Sequence, residues 1–148
     1  MGSFGPGRPY DDAAYHHALD CAALRHDLAL LPDLDETEIG SKGVTLSGGQ
    51  KHRISLARAL YSGASIYVLD DPLAAVDASV GRHIWQQAIT GCLRDKAVVL
   101  VTNQLQHLSS DVTEVIILAP GGVVAERGSY DELAGREDGV PQLADRGR

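Results

Sequence analysis

The feature that most constrains this chain is a short apolar run that stops at two acids and a proline. Residues 66–69 are Ile-Tyr-Val-Leu, and Asp70, Asp71 and Pro72 follow directly. The length and the β-branched content of the run favour a buried strand. An acid at the carboxyl end of such a strand lies at the rim of a sheet, where α/β proteins bind ligands, and it can hold Mg²⁺. The alternative interpretation of Asp-Asp-Pro is an ordinary turn.

Helical and strand-like patterns alternate around this run. Helical spacing covers residues 48–61 and 79–93, and further buried-strand candidates lie at 97–102 and 114–119. This alternation predicts an α/β fold built on a mostly parallel sheet.

A helical stripe precedes this α/β part, and a hairpin and a short helix follow it. An N-cap at Asp11 or Asp12 begins the stripe, which continues until Pro32. A Pro-Gly-Gly turn after the last strand candidate predicts a hairpin with a partner strand at 123–127. A capping box at 129–132 predicts the start of the last helix.

Composition and charge exclude several classes of function. The 148 residues are 44% hydrophobic and 22% charged, and 13 basic against 20 acidic residues give a net charge of −7. An acidic chain without a basic run is a poor candidate for binding the phosphate backbone of nucleic acid. No apolar run approaches the ~20 residues of a membrane helix. The first residues contain no apolar core of a signal peptide.

The cysteines and histidines carry no metal signal in the sequence. The two cysteines, Cys21 and Cys92, are too few for a disulfide framework and are predicted to be free, partly buried thiols. No CxxC or Cys/His spacing predicts zinc. The adjacent His16 and His17 point in different directions on a helix and are predicted to lie on its solvated face.

The most informative segment begins the helix at 48–61. It reads Leu46-Ser47-Gly48-Gly49-Gln50. Two glycines at a helix start let the backbone approach a ligand, and the first N–H groups and the helix dipole favour an anion there. The Ser47 hydroxyl can cap the helix or donate to a phosphate oxygen. The alternative interpretation is a serine N-cap followed by loop glycines.

Several motifs in this order resemble the nucleotide-binding domain of ATP-binding-cassette (ABC) transporters. Leu46 to Gln50 resembles the signature motif, with 54–61 as the helix that follows it, and Ile66 to Asp70 resembles the Walker B strand. Ala75-Val76-Asp77 resembles the D-loop, and Thr102-Asn103-Gln104 resembles the switch segment.

Two details are similar to one subfamily. Asp70-Asp71-Pro72-Leu73 and Thr37-Glu38-Ile39-Gly40 resemble the C subfamily, the multidrug-resistance-associated transporters, and specifically their first nucleotide-binding domain. The resemblance implies a partial P-loop NTPase domain at 1–134 that includes part of the family's helical subdomain. Its parts are a helical and signature region at about 4–62, an α/β region from Walker B onward at 63–134, and a polar tail at 135–148.

The chain departs from the family pattern at three points. No lysine follows a glycine, so the sequence contains no P-loop, and the chain by itself is predicted to be inactive as an ATPase. The resemblance implies a domain that is truncated ahead of the signature motif. Asp71 stands where most ABC ATPases carry a glutamate base, and it is one methylene shorter, about 1.5 Å of reach. Asn103 stands at the switch histidine and cannot carry a proton charge.

The resemblance also implies cofactors and partners. In the family, two domains face each other head to tail around ATP and Mg²⁺. Ser47 and the N–H groups of Gly48 and Gly49 would then contact the γ-phosphate held by a second nucleotide-binding domain. Asp70 would hold Mg²⁺ through water, and Asp77 would belong to the D-loop at the same interface.

The implied parent function is ATP-driven export across a membrane. The domain would lie at the cytoplasmic face, attached to membrane-spanning domains of the same transporter. Two alternatives stay open at this point: a stand-alone module that docks on another nucleotide-binding domain, and a non-transporter ABC ATPase. The acidic composition argues against the second alternative.

Overall fold

The computed structural model describes residues 9–40 and 43–135, and the chain divides between Thr102 and Asn103 into two compact units. The elements of the first unit are α1 (Asp12–Cys21), α2 (Arg25–Ala29), a 3₁₀ turn (Leu34–Glu36), α3 (Gly48–Ser62), β1 (Ile66–Asp70), α4 (Ala78–Ile84), a π-helical segment (Trp85–Cys92) and β2 (Ala97–Val101). The elements of the second unit are a 3₁₀ turn (Leu105–His107), β3 (Val115–Ala119), β4 (Val123–Gly128) and α5 (Tyr130–Ala134).

The central strands of the first unit pair as predicted. β1 and β2 run parallel, in a register that matches Ile66 with Ala97 and Asp70 with Val101. α3 precedes β1, and α4 and the π-helical segment connect the two strands. The predicted α/β alternation is confirmed in this unit, with a parallel sheet of two strands among the described residues.

The predicted helical stripe up to Pro32 is interrupted after α1. Ala23 has a positive φ of 53°, its N–H donates to the Asp20 carbonyl, and the N–H of Leu24 donates to the Leu19 carbonyl. This is a Schellman ending, here with alanine at the position that usually holds glycine. The turn buries Leu24 almost completely, and α2 then begins in a new direction. Burial of Leu24 outweighs the local preference for a continuous helix.

The helix α3 forms where its spacing predicted it. Ser47 is the N-cap, and Gly63 ends the helix in the left-handed region with a φ of 64°. The apolar face of α3 packs on α1, where the Tyr15 and Tyr61 rings meet edge to face with centroids 6.3 Å apart. The Tyr61 hydroxyl also accepts a hydrogen bond of 2.9 Å from the backbone N–H of Asp11, which is the predicted N-cap of α1.

The helix predicted at 79–93 changes its winding at Trp85. α4 is α-helical, but the turns from Trp85 to Cys92 are π-helical. A Cβ atom on Gly91 would lie 2.8 Å from the Gln86 carbonyl oxygen, so only glycine allows this close approach. The Thr90 hydroxyl donates to the carbonyls of Trp85 and Gln86. Hydrophobic periodicity alone does not reveal the close approach at Gly91 or the hydrogen bonds of the Thr90 hydroxyl.

The second unit is the predicted hairpin with a short helix behind it. β3 and β4 are antiparallel, with a bulge between Ile117 and Leu118, and Gly121 and Gly122 supply the two positive φ angles of the turn. Ser129 forms the predicted capping box of α5. Leu133, which is fully buried, and the largely buried Val115 form the core of this unit. The predicted polar tail lies, beyond Gly135, outside the described residues.

One face of the β1–β2 sheet is apolar and exposed to solvent. Ile66, Val68, Val99 and Val101 are each more than half exposed, whereas Tyr67 and Leu69 on the other face are buried. Parallel sheets are ordinarily covered on both faces, and exposed apolar strands promote association. We therefore expect the 148-residue chain on its own to aggregate or to melt over a broad temperature range.

We predict that charging this face reduces aggregation without a loss of folding stability. Val68 is 73% exposed and lies opposite Val99 in the sheet, so the double variant Val68→Lys/Val99→Glu keeps a favourable cross-strand pair. Light scattering and thermal melting of the 148-residue chain measure the effect. The control Leu69→Lys places a charge in the core and should unfold the chain. Unchanged scattering in the double variant would contradict the prediction.

Candidate functional site

The site begins at the N-terminus of α3, where the signature-like segment is held by its own side chains. The backbone N–H of Gln50 donates to Ser47 Oγ over 3.1 Å, and Gln50 Oε1 accepts from the N–H of Ser47 over 2.9 Å. This reciprocal capping box fixes the start of the helix. The N–H groups of Gly48 and Gly49 are first-turn donors without a partner inside the helix, and they carry its positive dipole end.

A half-buried ion pair holds the segment from behind. Gln50 Nε2 donates to Asp27 Oδ1 over 2.9 Å. Arg53, one turn along α3, donates both Nη atoms to the same carboxylate, at 2.6 and 3.1 Å, and Nη1 also donates to the Ala23 carbonyl. The Arg53 and Asp27 side chains are only 13% and 19% exposed. The signature segment is therefore fixed to α2 through one carboxylate.

The electrostatics of Asp27 support the same conclusion. Burial by itself opposes ionisation of this carboxyl, but the hydrogen bonds from Gln50 and Arg53 and the charge of Arg53 lower its pKa. A carboxyl whose folded pKa lies below its unfolded value stabilises the fold above the unfolded pKa. That stabilisation is lost as the pH falls through the folded pKa.

Sequence reasoning missed the role of Asp27 and Arg53. Arg53 lies three residues after Gln50 and was not given a role, and Asp27 lies in a separate helix. An acid and an arginine separated by 26 positions carry no pairing signal in one sequence. The buried bidentate contact appears only when α2 folds against α3.

The second glycine of the segment is required by a close backbone approach. A Cβ atom on Gly49 would lie 2.4 Å from the carbonyl oxygen of Ala75, whereas a Cβ atom on Gly48 would meet nothing within 4 Å. Ala75 itself has a positive φ of 59°. The structure thus brings the signature-like segment against the D-loop-like segment of the same unit. Gly48 stays open to solvent and to any ligand.

The two acids after β1 lie in different surroundings. Asp70 is exposed at the end of the strand, and Asp71 is half-buried with a positive φ of 42°. The N–H of Asp71 donates to the Val101 carbonyl over 2.7 Å, and the Thr102 hydroxyl donates to Asp71 Oδ1 over 3.1 Å. Asp71 is therefore tied to the end of β2, and the Asp70 carboxylate is the accessible one.

The remaining predicted residues have separate positions. Asp77 is the N-cap of α4, where Oδ1 accepts from the N–H groups of Ser79 and Val80 at 2.8 and 3.0 Å. The hydrogen bond from Val80 and then that from Ser79 lower the pKa of Asp77. Asn103 is exposed and is the first residue of the second unit.

The donor types suit a magnesium nucleotide. An exposed carboxylate at the carboxyl end of a parallel strand offers the oxygen ligand that Mg²⁺ prefers. The first turn of α3 offers N–H donors that suit a phosphate oxygen. No helix of the described residues has the length and apolar character needed to cross a bilayer.

Comparison with known proteins defines the class. The family model described as ABC transporter matches residues 12–74 of this chain. This range contains α3 and the two acids at the end of β1. The chain belongs to the ABC transporter family and corresponds to part of the ATPase domain of C-family members.

Three curated relatives carry C-family or ABC-transporter names. ABC transporter C family member 3 of Dictyostelium discoideum is 49% identical over 86% of this chain and 9% of its own length. ABC-type transporter cicA of Emericella nidulans is 45% identical over 93% of this chain and 10% of its own length. ATP-binding cassette sub-family C member 2 of Mus musculus is 47% identical over 86% of this chain and 8% of its own length. The chain thus spans about a tenth of the length of these relatives.

We predict opposite effects of alanine at the two glycines. Gly49→Ala should lower the free energy of unfolding by about 1–3 kcal/mol, because the new methyl group overlaps the Ala75 carbonyl. Gly48→Ala meets nothing in the chain and should be neutral or stabilising by up to about 1 kcal/mol. Urea denaturation of the two variants measures both effects, and equal stabilities would show that the contact between Gly49 and Ala75 is not tight.

Proposed function

We propose that this segment supplies the signature motif of a C-family transporter to an ATP bound by a second nucleotide-binding domain. The observation that carries the proposal is the arrangement at the start of α3. Ser47 and Gln50 cap the helix, Asp27 and Arg53 hold it from behind, and Gly48 leaves the first turn open. A preorganised set of N–H donors of this kind stabilises charge on a γ-phosphate without reorganisation.

The segment also supplies part of an ATP site in its own domain. Asp70 would hold Mg²⁺ through a water molecule, and Asp77 would lie in the D-loop at the interface between the domains. Bound Mg²⁺ neutralises charge on the phosphates during phosphoryl transfer. Asp70 would contribute its exposed carboxylate to holding the ion, and Thr102 holds the neighbouring Asp71 in place.

This second site is proposed to hydrolyse ATP weakly. A water-activating carboxylate must reach past the end of β1, but the Asp71 carboxylate already accepts the Thr102 hydroxyl and is half-buried. A glutamate would extend about 1.5 Å farther. Asn103 can donate a hydrogen bond to a phosphate but cannot take up a proton at neutral pH. Both residues are catalytic positions of the family with weakened chemistry here.

The whole protein would be an ATP-driven exporter. Its membrane-spanning domains and a second nucleotide-binding domain would be the partners of this segment, which would lie at the cytoplasmic face of the membrane. ATP and Mg²⁺ are the cofactors. The share of the relatives' length that the chain spans, about a tenth, is consistent with one part of a multidomain transporter.

The signature role is tested with a chimera and two matched serine variants. Residues 12–134 replace the matching part of the Dictyostelium relative that is 49% identical. We predict that Ser47→Arg removes most ATP turnover in membrane vesicles, because a bulky cation at the helix start blocks phosphate approach. Ser129→Arg is the control, because Ser129 forms the same capping box on α5.

Loss of either cap costs about 1 kcal/mol of stability, so folding effects of the two variants are matched. ATP turnover that falls equally in both chimeras would reflect folding and would contradict the signature role. Near-normal turnover in Ser47→Arg would contradict it as well. A selective loss in Ser47→Arg supports the proposal.

The weak site is tested in the same chimera with the partner domain's site disabled. We predict that Asp71→Glu combined with Asn103→His raises single-turnover ATP hydrolysis at least about tenfold, which is less than the about 100- to 10,000-fold that a fully positioned acid–base group contributes. Adding Asp70→Asn to that background should remove the gain, because the Mg²⁺ ligand is lost. An unchanged rate in the double variant would show that the weakness of this site has another origin.

A further inference from the structure

Away from the signature segment, three side chains that bind metals converge where α1 meets the π-helical segment. Cys21 Sγ lies 2.7 Å from Cys92 Sγ and 3.8 Å from His17 Nε2, and Cys92 Sγ lies 3.1 Å from His17 Nε2. All three ligand atoms lie within 4.8 Å of one another. The proposed ATPase role uses none of these residues.

Local structure explains why these distant residues meet. His17 and Cys21 are four positions apart on α1, so their side chains share one face of that helix. Cys92 is the last residue of the π-helical segment, which packs against α1. The wider π turns change the direction in which residue 92 projects compared with a continuous α-helix. Cys21 and Cys92 are free thiols, as predicted. Their proximity to each other and to His17 was not predicted from the sequence.

We propose that His17, Cys21 and Cys92 form a zinc-binding site. Two thiolates and one imidazole are a donor set that zinc favours, and two thiolates neutralise its charge. Cys21 is buried, Cys92 is half-buried and His17 is exposed. The site therefore lies at the surface, with its innermost ligand in the core. A groove of about 180 Å³ lined by His17, Cys92 and Lys96, among others, leaves room for water as a fourth ligand.

The geometry requires a small adjustment. A tetrahedral zinc ion with Zn–S bonds of ~2.3 Å holds two sulfurs ~3.8 Å apart. The two Sγ atoms must therefore separate by about 1 Å, which small side-chain rotations of the two cysteines supply. The exposed imidazole of His17 is free to follow. Two thiols this close form a disulfide when they are oxidised, whereas in the reduced chain the nearby imidazole completes a set of three metal ligands.

The proposal is tested on the complete 148-residue chain, kept reduced with a phosphine, with Co²⁺ as the spectroscopic probe. We expect one Co²⁺ per chain, with thiolate-to-cobalt charge-transfer absorption and the d–d bands of a tetrahedral ion. Zn²⁺ should displace the Co²⁺ and raise the melting temperature, because it binds the folded state. His17→Gln and Cys92→Ser should each weaken binding at least about tenfold, since even residues outside the ligand shell can cost that much.

The matched control is His16→Gln, which removes the neighbouring histidine on the same helix. The exposed His16 side chain contacts Asp12 and the neighbouring Tyr15 ring and takes no part in the proposed site, so its loss should cost little stability and leave metal binding unchanged. Equal affinities in His16→Gln and His17→Gln would show non-specific binding and overturn the proposal. Absence of the charge-transfer band in the reduced chain would also overturn it, as would a Cys21–Cys92 disulfide that forms in air, without the phosphine, even with Zn²⁺ in excess. Circular dichroism confirms that each variant is folded.

Discussion

The half-buried ion pair between Asp27 and Arg53 is the interaction on which the position of the start of α3 depends. It joins α2 to α3, and the same carboxylate accepts from Gln50, so the capped start of α3 is fixed in orientation. The two side chains are only 13% and 19% exposed, so a charge left without its partner would be costly, and the pair constrains the geometry even where its net contribution to stability is modest. In the function proposed above, this constraint would hold the first-turn donors of α3 in place for a phosphate.

The close approach at Gly49 adds a second constraint. Because the Ala75 carbonyl occupies the space of a Cβ atom, the signature segment and the D-loop segment pack as one surface. In a head-to-tail pair of nucleotide-binding domains, both segments would face the partner. The metal-binding proposal concerns a different junction of the unit, between α1 and the π-helical segment.

Much of the local structure was predictable because its signals are local. Ser47 and Gly63 mark the two ends of α3, the apolar run at 66–69 predicts β1, and the Pro-Gly-Gly turn predicts the hairpin. Two predicted helices differ from the structure, one through a tertiary effect and one through a local effect. Burial of Leu24 turns the chain after α1, and the contact of Gly91 with the Gln86 carbonyl accompanies the π-helical winding before Cys92.

The sequence by itself determined the order of the motifs, the family, and the capping and turn residues that mark the ends of the helices and strands. Those properties are local, since capping, strand composition and motif spacing are encoded within a few residues. Only the tertiary structure decided that Asp27 pairs with Arg53, that Asp71 is tied to Thr102, and that Cys92 reaches Cys21 and His17. Each of these contacts joins residues that are 26 or more positions apart, and the direction in which separate elements pack has no signature in a single sequence.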